Sequence, residues 1–176
     1  MARRFIILLL LVSFTTATNA QVVQKGNPHL IQKKSFLKDE IPTYTLPAFD
    51  VETYKKTVPD DRTKKLHFAR MFEVDLNIRE DGKRIETQQG EVYVLAIHSK
   101  DAYSLSVVFG TYHLPPGAEL YIYNPSFSHV KGAMTFRNNK VSRRLPVEPV
   151  QGEKIIVEYF EPDDRSFDGS LEVSGV

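Results

Sequence analysis

The chain has 176 residues, with 23 Lys and Arg against 22 Asp and Glu, and it contains no cysteine. This balance of charge predicts no nucleic-acid partner and no anionic lipid surface, since both require a strongly basic patch. The lack of cysteine excludes disulfide bonds, thiol catalysis and a lipid anchor on cysteine, so packing and sheet hydrogen bonds must stabilise the fold.

The first twenty residues have the pattern of a signal peptide. Arg3 and Arg4 form a basic start, residues 5–12 are apolar, and residues 18–20 (TNA) place small side chains where signal peptidase reads them. The apolar run is shorter than the roughly 20 residues that cross a bilayer. We therefore expect cleavage after Ala20 and a secreted or periplasmic chain without a retained membrane anchor. The absence of cysteine and of an Asn-x-Ser/Thr site favours a bacterial source.

Residues 21–62 form a polar stretch that we predict to be an extended, mostly irregular arm lying along the domain. Proline disfavours helix in the residue before it and removes a backbone donor. The arm contains Pro28, Pro42, Pro47 and Pro59.

Residues 63–176 read as one β-rich domain. Residues 72–78 alternate apolar and polar side chains, which predicts a half-buried strand, and Asp81-Gly82 predicts a hairpin turn after it. Residues 91–98 are apolar on both faces, which is typical of a central strand between two layers. Further strands are predicted at 105–109, 120–123, 130–136 and 155–159.

Prolines and glycines separate these strands. Residues 115–117 (PPG) and 138–139 (NN) predict turns, whereas Pro146, Pro149 and Gly152 bracket a predicted connection. This spacing favours an all-β, antiparallel β-sandwich of jelly-roll-like topology, with a barrel as the alternative. Residues 171–173 begin one more alternating segment, which we interpret as a strand of a domain truncated at its C-terminal end.

No residue is predicted to be catalytic, to bind a cofactor or to bind a metal. Ser104 and Ser106 lie in a strand pattern without the sequence context of an activated serine. The acidic loop with Asp163, Asp164 and Asp168 lacks the spacing of a calcium loop. The histidines lack zinc-site spacing and are expected to form local hydrogen bonds; they are His29, His67, His98, His113 and His129.

Two other residue types leave alternatives open. The basic pairs, such as Arg143-Arg144, are either solvated loop charges or sites of proteolytic trimming. The aromatic residues are either strand and core residues or a stacking platform for sugar or peptide. The platform candidates are Tyr93, Tyr103, Phe109, Tyr112, Tyr121 and Tyr123.

Three motifs resemble a known family. They are residues 107–124 (VVFGTYHLPPGAELYIYN), 130–135 (VKGAMT) and 149–158 (PVQGEKIIVE), followed by 170–176 (SLEVSGV). Residues 66–176 resemble the N-terminal region of secreted bacterial trypsin-like serine proteases of the lysyl endopeptidase type, especially those of Bacteroidetes. The protease domain of that family, with its triad, has no counterpart in this sequence.

The resemblance implies a non-catalytic, exported accessory or pro-region domain that assists folding of a lysine-specific protease or masks it. The expected partner is a trypsin-like protease domain, and no cofactor is expected. One alternative is a stand-alone secreted binding module for glycan or a surface protein. A weaker alternative is a protease inhibitor acting in trans.

Overall fold

The computed structural model describes residues 26–30, 41–57 and 69–176. The predicted signal peptide lies outside the described residues. The elements in chain order are β1 (Thr43–Thr45), α1 (Val51–Thr57), β2 (Glu73–Asn77), α2 (Ile78–Asp81), β3 (Lys83–Glu86), β4 (Gly90–His98), β5 (Ser104–His113), β6 (Glu119–Tyr123), β7 (Val130–Met134), a 3₁₀ turn (Phe136–Asn138), β8 (Leu145–Gln151), β9 (Lys154–Pro162) and β10 (Ser170–Gly175).

The all-β prediction is confirmed, and the strands form two sheets. The first sheet has the order β1-β4-β9-β6-β7, and β3 pairs with β4 along the part of its edge that β1 leaves free. The second sheet has the order β2-β10-β5-β8. Neighbouring strands are antiparallel except for β1, which runs parallel to β4.

The middle strands of the first sheet, β4, β9 and β6, are buried on both faces. On one face Tyr93, Leu95 and Ile97 belong to a large core cluster that also contains residues of the second sheet, such as Phe109 and Val173. On the opposite face a second cluster includes Val92, Val94 and Ala96 from the same strand. We call this second face the outer face. Burial on both sides explains why β4 is apolar at every inner position, and its prediction as a central strand is confirmed.

The hairpin predicted at Asp81-Gly82 is wrong. The short helix α2 follows β2 instead, because Asn77 caps it by accepting from the Arg79 amide at 3.0 Å, while the Asp81 carboxylate accepts from the Asn77 amide at 2.7 Å. Ile78 is fully buried and turns the chain inward. The chain therefore passes from the second sheet to the first instead of folding back on β2.

The connection predicted around Pro146 and Pro149 is also wrong, because these residues form β8. Strand β8 pairs only with β5 and is an edge strand of the second sheet. A proline is tolerated there, since the missing amide hydrogen costs no ladder bond on the open side. Gly152 follows the strand with a φ of 115° and forms the turn into β9.

The arm has more regular structure than the prolines suggested. Helix α1 begins after Asp50, whose carboxylate accepts from the amides of Glu52 and Thr53 at 3.0 and 3.1 Å. Upstream, β1 adds to the edge of the first sheet, and Leu46 is buried in the large core. Neither helix of the described chain is long and apolar enough to cross a bilayer.

Candidate polypeptide-binding face

A short piece of the arm, residues 26–30, lies on the outer face of the first sheet. We call it the docked segment. The Gly26 amide donates to the Gly132 carbonyl on β7 at 3.3 Å. Pro28 is buried, and Leu30 is 2% exposed within the cluster of the outer face. The first sheet thus binds this short segment of the arm through both backbone and apolar contacts.

Glu158 on β9 holds this segment from beneath. Its side chain is fully buried. One carboxylate oxygen accepts from the backbone amides of His29 at 2.5 Å and Leu30 at 3.3 Å. The other accepts from the Tyr123 hydroxyl at 2.6 Å. Two of the three donors therefore belong to the docked segment rather than to the sheet.

Burial governs the ionisation of this carboxyl. Removal from water raises the pKa of Glu158, because the charged form loses its hydration, and the hydrogen bonds from Tyr123 and His29 offset part of that rise. Burial likewise raises the pKa of Tyr123, so its hydroxyl stays a donor. A buried carboxylate is costly unless its oxygens are hydrogen-bonded. The docked segment supplies those bonds.

A second contact fixes His29. Its ring stacks on Phe160 with centroids 4.2 Å apart, and Nε2 lies 3.2 Å from a carboxylate oxygen of Glu119. The same oxygen accepts from the Tyr121 hydroxyl at 2.8 Å. The His29 hydrogen bond and the Tyr121 hydroxyl lower the pKa of Glu119 against the opposing effect of burial. The sheet therefore contacts the docked segment through the His29 imidazole as well as through the segment's backbone.

Three of the sequence motifs contribute residues to this face. Tyr123 lies in the first motif, next to its last residue, and Glu158 ends the third, and the two side chains are hydrogen-bonded to each other. Gly132 of the second motif has a φ of 130°, and a Cβ there would lie 2.6 Å from the Leu120 carbonyl and 2.7 Å from the Tyr121 ring. Only glycine allows so close an approach of β7 to β6.

A separate polar cluster lies at the end of β9. Glu161 is fully buried, and one of its oxygens accepts from the Tyr159 hydroxyl at 2.9 Å. The other lies 2.9 Å from an Arg79 nitrogen and 3.5 Å from Nε of Arg165. The first of these contacts is an ion pair without hydrogen-bond alignment. The two guanidinium groups therefore balance the buried charge.

The same cluster uses the acidic loop that was considered for calcium. Asp168 accepts from Arg165 at 2.7 Å and lies 3.6 Å from Arg79, and these arginines lower its pKa. Asp163 and Asp164 are exposed. Among the described residues no group of three or more His, Cys, Asp or Glu side chains could hold a metal ion.

The histidines and serines of the prediction are dispersed in the structure. His98 lies 3.9 Å from Glu153, His113 stacks on Phe167, and His129 is exposed in a turn. His67 lies outside the described residues. Ser106 donates to the Val147 carbonyl at 2.8 Å, and Ser104 is exposed.

The proposed aromatic platform is buried apart from one residue. Tyr103 is 93% exposed, whereas the other five candidates are at most 4% exposed. Tyr121 and Tyr123 lie on the outer face beside the docked segment, and the remaining three belong to the large core, namely Tyr93, Phe109 and Tyr112. An exposed sugar-stacking surface made of these residues is therefore absent from the described structure.

Sequence reasoning missed Glu158 and Glu161 as site residues. The available signal was a carboxylate within an otherwise apolar strand, residues 155–160 (IIVEYF), because a buried charge needs dedicated partners. The backbone donors of Glu158, His29 and Leu30, are 129 and 128 residues away in the chain. Comparison of this chain with protein-family models, with curated proteins and with solved structures finds no match.

Proposed function

We propose that this chain is a non-catalytic, exported accessory or pro-region domain, with its two sheets stacked as a jelly-roll-like β-sandwich, that assists folding of a trypsin-like, lysine-specific endopeptidase or masks it. The proposal rests on the outer face. There a fully buried carboxylate, Glu158, binds the backbone of the docked segment through two amide hydrogens. Backbone recognition of this kind serves protein binding, because main-chain hydrogen bonds contribute affinity for a polypeptide.

The family resemblance supports the same reading. Its motifs supply Gly132 and Glu158, which accept hydrogen bonds from the docked segment, and Tyr123, which donates to Glu158. The resemblance thus falls on residues with a shared physical task rather than on scattered positions. An accessory domain needs this rigid polypeptide-binding surface and needs no reactive group.

The glycan-binding alternative has no comparable support. Tyr121 and Tyr123 are 2% and 0% exposed, so their rings have no free face for a sugar. Replacement of either residue by Ala would create a cavity in the cluster of the outer face and weaken the fold. Loss of glycan binding in such variants would therefore be ambiguous.

The test is binding and assisted refolding. The chain from Gln21 onward is titrated against a native lysine-specific trypsin-like protease by calorimetry, and it is also added while the denatured protease refolds. We expect either saturable binding or a higher yield of active protease. Absence of both effects overturns the proposal. A trypsin-like protease that accepts both Lys and Arg serves as the matched partner control.

A further inference from the structure

The loop between β7 and β8, residues 135–144, is basic and exposed. We call it the basic loop. Its tip is fully open to solvent, with Val141 at 106% relative exposure. Its four cationic side chains are exposed, and no described carboxylate forms an ion pair with them; they are Arg137, Lys140, Arg143 and Arg144. The loop therefore carries uncompensated charge beside an exposed apolar side chain.

The base of the loop is held firmly. The Asn139 side chain both accepts from the Leu114 amide and donates to the Leu114 carbonyl, at 2.9 Å each. The Asn138 side chain accepts from the Thr135 amide at 2.9 Å, which caps the 3₁₀ turn. The Tyr112 hydroxyl donates to the Thr135 carbonyl at 2.8 Å. Side chains thus anchor the start of the loop to β5 and to the turn that follows it.

The tip is also closed on itself. The Arg143 amide donates to the Lys140 carbonyl at 2.9 Å, and the Arg143 carbonyl accepts from the Tyr112 amide at 2.7 Å. Arg143 has a φ of 52°, which is the left-handed region. Lys140 and Val141 are exposed at the tip of this turn. A loop that is ordered before binding loses less conformational entropy when it enters a partner.

The basic loop is complementary to a narrow acidic pocket. An exposed turn with one lysine and a neighbouring aliphatic side chain suits a slot that binds a long cation, whereas a flat polyanion would favour an extended row of basic residues. The specificity pocket of trypsin-like proteases is such a slot, with a carboxylate that selects a basic side chain. Charge complementarity thus selects the protease cleft as the partner surface.

We propose that the basic loop inserts Lys140 into the specificity pocket of the lysine-specific protease and so covers its cleft. This inference rests on the proposed function and names the surface through which masking occurs. Because the turn is tied to β5 and Leu114, Lys140 is held as a slowly cleaved ligand rather than as an ordinary substrate.

The experiment measures inhibition of a lysine-specific trypsin-like protease by the full mature chain, with a small lysyl amide as substrate. The variant is Lys140→Gln, which removes the positive charge and keeps a polar, unbranched side chain. Lys100→Gln is the matched control, because Lys100 is also exposed but lies away from the basic loop. Lys100 precedes the start of β5, whereas the basic loop is anchored at the other end of this ten-residue strand. Circular dichroism verifies that both variants are folded.

We expect competitive inhibition by the wild-type chain, an inhibition constant at least tenfold higher for Lys140→Gln, and no change for Lys100→Gln. Binding without competition, or equal inhibition by all three proteins, overturns the role of the loop and leaves the proposed function standing. Rapid cleavage after Lys140 without inhibition also overturns it. Absence of any binding or refolding effect removes the proposed function itself.

Discussion

Loss of the Glu158 carboxylate should free the docked segment while the rest of the protein stays folded. In Glu158→Ala the amides of His29 and Leu30 lose their shared acceptor. A hydrogen bond to a charged group contributes about 1.5–3 kcal/mol. Taking the lower value for each of the two bonds, attachment of the segment weakens by about 3 kcal/mol, which corresponds to roughly a 100-fold larger open population.

Hydrogen exchange of the mature chain measures this population at the individual amides. In Glu158→Ala the His29 and Leu30 amides should exchange about 100-fold faster, a ratio that follows from the energy above. The Val173 amide on β10 reports the second sheet and should keep its protection. Glu148→Ala is the matched control, because Glu148 is an exposed glutamate that contacts Lys131 and lies away from the segment.

The isosteric variant separates the hydrogen bonds from the charge. Glu158→Gln keeps one oxygen that can accept from the segment, so the two amides should remain within about tenfold of their wild-type protection. The reasoning is refuted if Glu158→Ala leaves exchange of the segment unchanged. It is also refuted if Val173 loses protection to the same extent, because Glu158 would then support the whole fold instead of the segment.

Three further predictions concern Glu158 and two other sites of the described structure. Burial raises the pKa of Glu158 above 4.5 in the folded protein, so its contribution to stability is complete below pH 4.5 and is lost as the pH rises. Glu158→Gln lacks this titration. Its free energy of unfolding relative to wild type, measured by urea titration, should therefore increase above pH 4.5. Arg79→Met should destabilise the protein by about 3 kcal/mol in the same assay, because the buried Glu161 loses its nearest cation, and adding Glu161→Met should restore part of this loss. Gly132→Ala should lower the melting temperature more than Gly152→Ala. Both positions have positive φ, but only at Gly132 would a Cβ also clash with backbone. Equal effects would show that the backbone strain of a positive φ accounts for the whole loss.

Much of the strand content could be predicted because alternation of apolar and polar residues follows directly from the geometry of a half-buried strand. Strand β2 shows this, with Glu73 and Asp75 exposed and Leu76 buried. The prediction failed where local signals compete with tertiary contacts. Asp81-Gly82 resembles a hairpin turn, yet Asn77 caps a helix there, and the prolines of β8 are acceptable only because that strand lies at an edge.

The outer face was not predictable from local patterns. The segment around His29 and the strand around Glu158 are 129 residues apart, and nothing in either stretch identifies the other. A period of two shows which residues share a face, but it does not show which face is covered or by what. The candidate site therefore depended on knowing where the arm lies.

The sequence by itself determined the all-β class and the central position of β4, because both follow from side-chain periodicity within single strands. Only the tertiary structure decided that Tyr121 and Tyr123 are buried beside the docked segment, that Glu158 binds its backbone, and that Lys140 lies in an exposed basic loop. The physical reason is that burial of an aromatic ring or a carboxylate is set by what packs over it. Those covering groups come from distant parts of the chain.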